Sequence, residues 1–343
     1  MTDRTISLRQ MLAVVFLALF PLGTEVLFSR LSPAGAAGWL SLLAAGVVAL
    51  LLAALVGRRS GVTVPLSLSR EGVNRVLAGG FLLWGLLFGG AQVCRMGVRL
   101  SDSLGASPVL MSGLLMLLAG WMAAGGLPAF ARACEIFLLA VGGAFALILL
   151  GGMFRLRWDW VLLWTSAELG QVPVGALESL GLLAVGCYGL FLLEYVTGED
   201  RARPRLLWMI GRLFLLLAAA GVLILGRFGA PLTGQMNRPF FQMVSGLGLE
   251  GAFQRLEQLA SALWVLGDLA LLGFLLLCLV RLTAHAAGRQ EKQGWAWLWG
   301  GVLFLLSLPV TFWQGVLAGP VLWVGNLAAG ALILALSTRK KRK

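Results

Sequence analysis

The stretch LRQMLAVVFLALFPLGTEVLF, residues 8–28, carries the reading on which the fold turns. An α-helix needs about 20 mostly apolar residues to cross the hydrocarbon of a bilayer, and this run supplies them. Arg4 and Arg9 followed by Met11 to Phe20 resemble a cleaved signal peptide. No clear small-x-small cleavage site follows, however, and the apolar run continues through Pro21 to Phe28, so the segment reads as a first membrane helix. In its outer half stands Pro21-Leu22-Gly23-Thr24-Glu25. Proline removes a backbone hydrogen bond and glycine lowers the cost of unwinding, so an interruption of the helix is expected there.

The rest of the chain repeats the pattern. Hydrophobic residues make up 59% of the sequence and charged residues only 12%; mean hydropathy is +0.90. A soluble domain carries about 25% charged residues, so lipid must be the solvent for most of this apolar surface. Further apolar runs cover 36–56, 76–98, 108–124, 134–154, 174–196, 206–226, 256–280, 295–312 and 320–337. None alternates as a membrane barrel strand must. The expected fold is an all-α polytopic membrane protein of about ten transmembrane helices. It forms one permease-like domain over 1–343, with five helices in 1–154, five in 174–338 and a basic tail at 339–343.

The net charge of +12 would suggest nucleic acid in a soluble protein. Here the basic residues sit in short segments between apolar runs, where they set orientation, and nucleic-acid binding is set aside. With the N-terminus inside, the cytoplasmic segments hold Arg58, Arg59, Arg70, Arg75, Arg132, Arg201, Arg203 and Arg205. Arg281, Arg289, Lys292 and the tail fall on the same side, which takes all four lysines of the chain. Outer loops carry Arg30, Arg99, Arg155, Arg157, Arg227, Arg238 and Arg255. Both termini are thus expected in the cytoplasm and the chain in the inner, cytoplasmic membrane. Two outer segments are long: one from Arg155 to Pro173, with Trp158, Trp160 and Trp164 suited to headgroup level, and one from Phe228 to Gln254.

Enzyme chemistry finds little support. Cys94, Cys134, Cys187 and Cys278 form no CxxC pair and read as small apolar residues. His285 is the single histidine and falls in a polar loop, which argues against a triad or a multi-histidine metal site. No lysine lies in any span to replace it as a base, and nothing calls for a cofactor.

Interrupted helices are the better pointer, because freed backbone groups can hold a solute at mid-membrane. The sixth span carries Gly181 and then Gly186-Cys187-Tyr188-Gly189, at the place corresponding to the first span in a five-plus-five division. Glycine also serves simple packing in membrane helices. Glu25 needs pairing or hydration if buried. It either binds a cationic or ammonium-bearing ligand, carries a proton, or pairs with Arg30 at the interface. Asp268 lies well inside the eighth span, as an ion or proton site or as a partner for Arg212. Gln92 and Arg95 share a face of the third span and could line a polar cavity, whereas Arg99 is expected to snorkel outward or pair with Asp102. Glu178 and Glu257 read as hydrated at span starts, and Glu194 as paired with nearby arginines.

Over essentially its whole length the chain resembles the B subunit of spore germinant receptors, the endospore germination permease branch of the amino acid–polyamine–organocation superfamily. The similarity is carried by Leu22-Gly23, by Gly125-Gly126-Leu127 followed by Arg132, and by Phe191-Leu192-Leu193-Glu194 ahead of a basic turn. It also rests on Arg238-Pro239 leading to Phe253-Gln254-Arg255-Leu256-Glu257. The resemblance implies a five-plus-five inverted repeat with broken first and sixth helices. It implies a ligand pocket between them drawing on Gly23, Thr24, Gly186, Cys187, Tyr188 and Gly189, with the third and eighth helices as walls. It further implies a small-molecule germinant, usually an amino acid, and partnership with A-type and C-type receptor subunits in the spore inner membrane. Glu25 and Arg30 depart from the family pattern of a second small residue and a later proline. A carboxylate beside the pocket favours a ligand presenting a cation. A proton- or sodium-coupled amino acid transporter of the same fold is the alternative.

Overall fold

The structure is a computed structural model describing residues 5–30, 32–58, 66, 71–154, 156–197, 202–236, 238–246, 256–292 and 294–338. The tail 339–343, the Phe253-Gln254-Arg255 segment, Arg59, Arg70, Arg155 and Arg201 lie outside the described residues, as do the side chains of Arg30, Arg58, Arg203 and Glu257. Among the described residues almost all regular structure is helical. In lipid an exposed amide or carbonyl has no water to bond, so helices, which satisfy themselves, are what apolar runs of this length form.

In chain order the first half holds α1 (Leu8–Arg30), α2 (Gly38–Arg58), α3 (Glu71–Leu104), α4 (Pro108–Ala124) and α5 (Leu127–Met153). After a single-turn α6 (Asp159–Leu162) come α7 (Ser166–Leu183), continued by a 3-10 helix (Ala184–Tyr195), and α8 (Ala202–Gln235). The chain ends with α9 (Pro239–Ser245), α10 (Leu256–Ala287), α11 (Trp295–Ser307), α12 (Val310–Ala318) and α13 (Val321–Ser337). Among the described residues seven helices are long and apolar enough to cross a membrane, and α11 with α12 makes an eighth span if the bent pair is counted as one. The fourth and tenth expected spans are α4 and α13, shorter apolar helices of 17 residues each. At 1.5 Å per residue they reach about 25 Å, near the lower limit for crossing.

Departures from the expected spans have local causes. The sixth begins at Ser166 rather than residue 174, because Thr165 and Glu168 close a capping box: the Thr165 hydroxyl accepts from the Glu168 amide at 3.3 Å, and the Glu168 carboxylate from the Thr165 amide at 2.7 Å. The ninth is bent by 86° between α11 and α12. Pro309 has no amide to continue the ladder, and the Trp313 indole donates to the freed Leu306 carbonyl at 2.5 Å. His285, expected in a loop, belongs to the last turn of α10. Two strands, not expected, form a short parallel pair, Ile6–Ser7 with Val196–Thr197, joining the start of the chain to the end of the sixth span.

The two expected interruptions differ. In the sixth span the change is real: α7 gives way at Ala184 to twelve residues of 3-10 helix containing Gly186, Cys187, Tyr188 and Gly189. A 3-10 run of that length is uncommon and marks a strained or mobile joint. In the first span no unwinding occurs: α1 is helical throughout, with Pro21 inside it. The proline costs one hydrogen bond, but Gly267 of α10 gives its ring room, since a Cβ at Gly267 would stand 2.8 Å from the Pro21 Cβ. α1 and α10 are the most buried of the long helices, and apolar side chains of α4 and α5, such as Trp121, Leu139 and Leu147, are exposed on the outside of the bundle.

Candidate functional site

α1 and the sixth span meet directly. A Cβ at Gly186 would lie 2.8 Å from Leu19 Cδ1, and one at Gly189 would lie 2.8 Å from Met11 Cε. Gly23 faces Leu217 of α8 in the same way, at 2.8 Å. Along these faces the glycines bring helices together, and the room expected for a guest is held by side chains of α1 and α8. Tyr188 is buried; its hydroxyl donates to the Phe81 carbonyl at 2.9 Å, and the Cys278 thiol donates to the Tyr188 carbonyl at 3.6 Å. Cys187 is half-buried. At the α7/3-10 junction, Asn326 of α13 donates to the Leu182 carbonyl at 3.4 Å and accepts from the Trp84 indole at 2.8 Å. Tyr188→Phe is expected to cost about 1 kcal/mol, the net worth of a neutral hydrogen bond, read as a lowered melting temperature in detergent.

The polar residues converge elsewhere, between α1, α3 and α10. On α3, Gln92, Arg95 and Arg99 follow one another at three and four residues and form one stripe. α1 brings Thr24 and Glu25; α10 brings Trp264 and, one turn on, Asp268. All but Arg95 are buried: Gln92 is 0% exposed, Arg99 1%, Asp268 2% and Glu25 5%. Arg95 pairs with Glu25, Arg99 pairs with Asp268, and the second Arg99 amino group stands 3.7 Å from Glu25. Gln92 is held in place by accepting from Arg95 Nε at 2.8 Å. The Trp264 indole donates to the Thr24 hydroxyl at 2.9 Å, which itself donates to the Pro21 carbonyl at 3.0 Å. Two carboxylates and two guanidiniums thus balance inside the bundle. Burying any of them alone would cost several kcal/mol, which is why they are found together.

Aromatic side chains cover the cluster. Phe240 and Phe241 of α9 pack on Trp264, with ring centroids 4.9 and 6.2 Å away, and the Arg99 guanidinium lies 5.4 Å from the centre of the Phe241 ring. Phe145 of α5 and Phe20 of α1 continue the layer. Arg238, just before α9, pairs with Asp102 at the end of α3 at 2.9 Å and pins the cover down.

Several expected partners are therefore corrected. Arg99 does not snorkel or pair with Asp102; it is buried on Asp268. The partner of Asp268 is Arg99 rather than Arg212, whose guanidinium lies over the Trp208 ring at 5.2 Å. Glu25 finds Arg95 and Arg99, both on α3. Glu194 does pair with an arginine, Arg281 of α10, which also holds Glu291 at 2.9 Å; the Tyr195 hydroxyl donates to the same Glu291 carboxylate at 2.7 Å. No three His, Cys, Asp or Glu side chains stand together as a metal site among the described residues.

The cluster has more donors than acceptors. Gln92 Nε2, Arg95 Nη2 and Arg99 Nε are buried with no acceptor among the described residues. Nearby, between α3, α4 and α10, lies a cavity of about 320 Å³ lined by Leu100, Ser103, Leu104, Met111, Ser261 and Val265 among others. None of the glycines from the interrupted segments borders it. Sequence reasoning missed the cover, Phe240 and Phe241, and Asn326; the aromatic pair directly after Arg238-Pro239 was the available signal for the first.

No protein-family model matches the sequence, and no curated protein matches it significantly. Solved structures do match. The crystal structure of MhsT in complex with L-phenylalanine superimposes with a TM-score of 0.73 over 97% of this chain and 89% of that chain, at 15% sequence identity. A likeness at that identity is one of fold, and it runs almost end to end: the chain is an all-α polytopic membrane protein with the helix arrangement of MhsT.

Proposed function

We propose that this chain is the ligand-binding membrane subunit of a nutrient receptor, a spore germinant receptor of the B type, which holds an amino acid within a transporter-like bundle and passes the occupied state to A-type and C-type partner subunits in the spore inner membrane. Sequence resemblance supports the receptor class. The fold shared with MhsT, crystallised with L-phenylalanine, supports a ligand of amino-acid size.

The observation that carries the choice of sensing over proton-coupled transport is the partner of Asp268. Proton coupling through a side chain needs a carboxylate deep in the bundle that takes up and releases its cation in every cycle. Sodium can be held by unwound backbone carbonyls instead, so the partner of Asp268 bears on proton coupling and the uptake experiment below bears on both. Asp268 has the depth, but the Arg99 guanidinium lies against it. Arginine stays protonated under all ordinary conditions, so the cation at this carboxylate is tethered to the chain and does not exchange. A bundle built this way can bind and change shape without importing an ion.

Reconstituted into vesicles, the protein is expected to show no concentrative uptake of labelled amino acids under an inward proton or sodium gradient, while amino acids raise its melting temperature in detergent. Accumulation that collapses with the gradient would instead establish the second reading, a coupled amino acid transporter.

A further inference from the structure

We propose that a free amino acid binds by entering the Glu25–Arg95 ion pair, with its carboxylate on Arg95 and Gln92 of α3 and its ammonium group on Glu25 of α1. The inference rests on the amino-acid reading above and deepens it by assigning a place to each of the ligand's charges.

Charge balance is the first argument. The two ion pairs between α1, α3 and α10 are neutral as a set and buried apart from part of Arg95, with Phe241 of α9 packed over Arg99. A simple anion or a simple cation entering there would leave one buried charge unpaired, which a low-dielectric site penalises heavily. A zwitterion adds no net charge. It can divide the Glu25–Arg95 pair and give each member a new partner of the right sign, linking α1 to α3 as the direct pair does now.

The second argument is the surplus of donors. Gln92 Nε2, Arg95 Nη2 and Arg99 Nε have no acceptor among the described residues, and all three belong to the α3 stripe. Gln92 Oε1 is already engaged by Arg95 Nε at 2.8 Å, so its amide nitrogen is the end left to donate. A buried donor without an acceptor is costly, and three on one face ask for acceptor atoms that the described residues do not supply. A carboxylate brings two oxygens in a plane that matches a guanidinium fork. On the α1 side Glu25 offers acceptors only, as an ammonium group requires.

The third argument separates the two pairs. Arg99 and Asp268 hold α3 to α10 and need not open. Glu25 is shared between Arg95 and, at 3.7 Å, Arg99, so a ligand that draws Arg95 away leaves it near a cation. The exchange replaces one contact and preserves the rest.

The test uses the purified full-length chain in detergent. Thermal unfolding is measured with each of the twenty protein amino acids singly, on wild type, Glu25→Gln and Arg95→Gln. Every amino acid that stabilises wild type is then compared with its analogues lacking the amino group or the carboxylate. Dissociation constants are expected to weaken by at least about tenfold for the intact amino acid in each variant and for either analogue on wild type. Glu25→Gln should in addition lose its preference for the intact ligand over the analogue without an amino group. Equal stabilisation of all three proteins by the amino acids would overturn the assignment while leaving amino-acid binding in place. If no amino acid stabilises wild type, both the assignment and the amino-acid reading fall. Should either variant fail to fold, the analogue series on wild type decides alone, and an analogue lacking either charge that binds as tightly as its parent overturns the proposal.

Discussion

Replacing Arg99 with leucine is expected to remove about 3–5 kcal/mol of stability, the cost of breaking a buried ion pair from one side. Arg99 is the one side chain of the cluster that approaches both carboxylates, touching Asp268 and standing 3.7 Å from Glu25. Without it Asp268 is buried with no direct ion-pair partner among the described residues, and water has little access behind Phe240 and Phe241. Removing the pair as a whole is a different matter. Arg99→Leu combined with Asp268→Leu deletes both charges, and apolar replacements of buried ion pairs are often neutral. The double variant is therefore expected to recover most of the loss, giving a large coupling energy in a double-mutant cycle. Melting temperatures in detergent for the two single variants and the double variant measure it. A double variant as unstable as Arg99→Leu alone would mean that Arg99 acts through its stacking on Phe241, at 5.4 Å, and not through Asp268.

The helical membrane fold could be read from the chain because its cause is local. Twenty apolar residues have one stable form in lipid whatever surrounds them. The ends were less legible, since hydropathy sees only the apolar middle of a helix. α3 runs from Glu71 to Leu104, beyond the expected 76–98, because its helix continues through polar and largely exposed turns, such as Glu71–Arg75 and Asp102, that an apolar window does not count. The start of α7 was written in the sequence as Thr165-x-x-Glu168, a capping signal that an apolar window overlooks. The bend before α12 was likewise present as Pro309 inside an apparently continuous run.

For the site, the polar residues were visible and their partners were not. Glu25, Gln92, Arg95 and Asp268 stand out in apolar surroundings, and that alone marks them. Arg99 was read against its neighbours in sequence, where Asp102 and the membrane interface are close. Its partner is 169 residues away, and only tertiary packing brings Asp268 beside it. The glycines misled in the opposite direction. A glycine in a membrane helix allows either an unwound backbone or a close neighbour. Gly186 and Gly189 have both, a 3-10 backbone and the side chains of α1 pressed against them. Pro21 had the same ambiguity, and α10 resolved it by offering a glycine at the point of contact.

That contact yields the second large effect. Gly267→Val is expected to cost at least about 3 kcal/mol, at or beyond the upper end for overpacking. What decides the magnitude is the stiffness of the neighbour. At Gly85 an added Cβ would meet Leu279 Cδ2 at 3.0 Å, the end of a side chain that can rotate away. Helix propensity even favours alanine over glycine by about 1 kcal/mol, so Gly85→Ala should be close to neutral. At Gly267 the added atom would stand 2.8 Å from Pro21 Cβ, part of a closed ring fixed to the α1 backbone. No rotamer relieves that clash, so α1 and α10 must move apart as bodies. The Trp264–Thr24 hydrogen bond of 2.9 Å spans the same gap, and Asp268 follows directly after Gly267, so the separation also pulls on the charge cluster. Gly267→Val should then lower the melting temperature far more than Gly85→Ala, and it should weaken the Arg99–Asp268 coupling measured in the cycle above. If the two glycine variants melt alike, the proline ring is not the stop that sets the α1–α10 distance, and the cluster's geometry must be held by its own ion pairs.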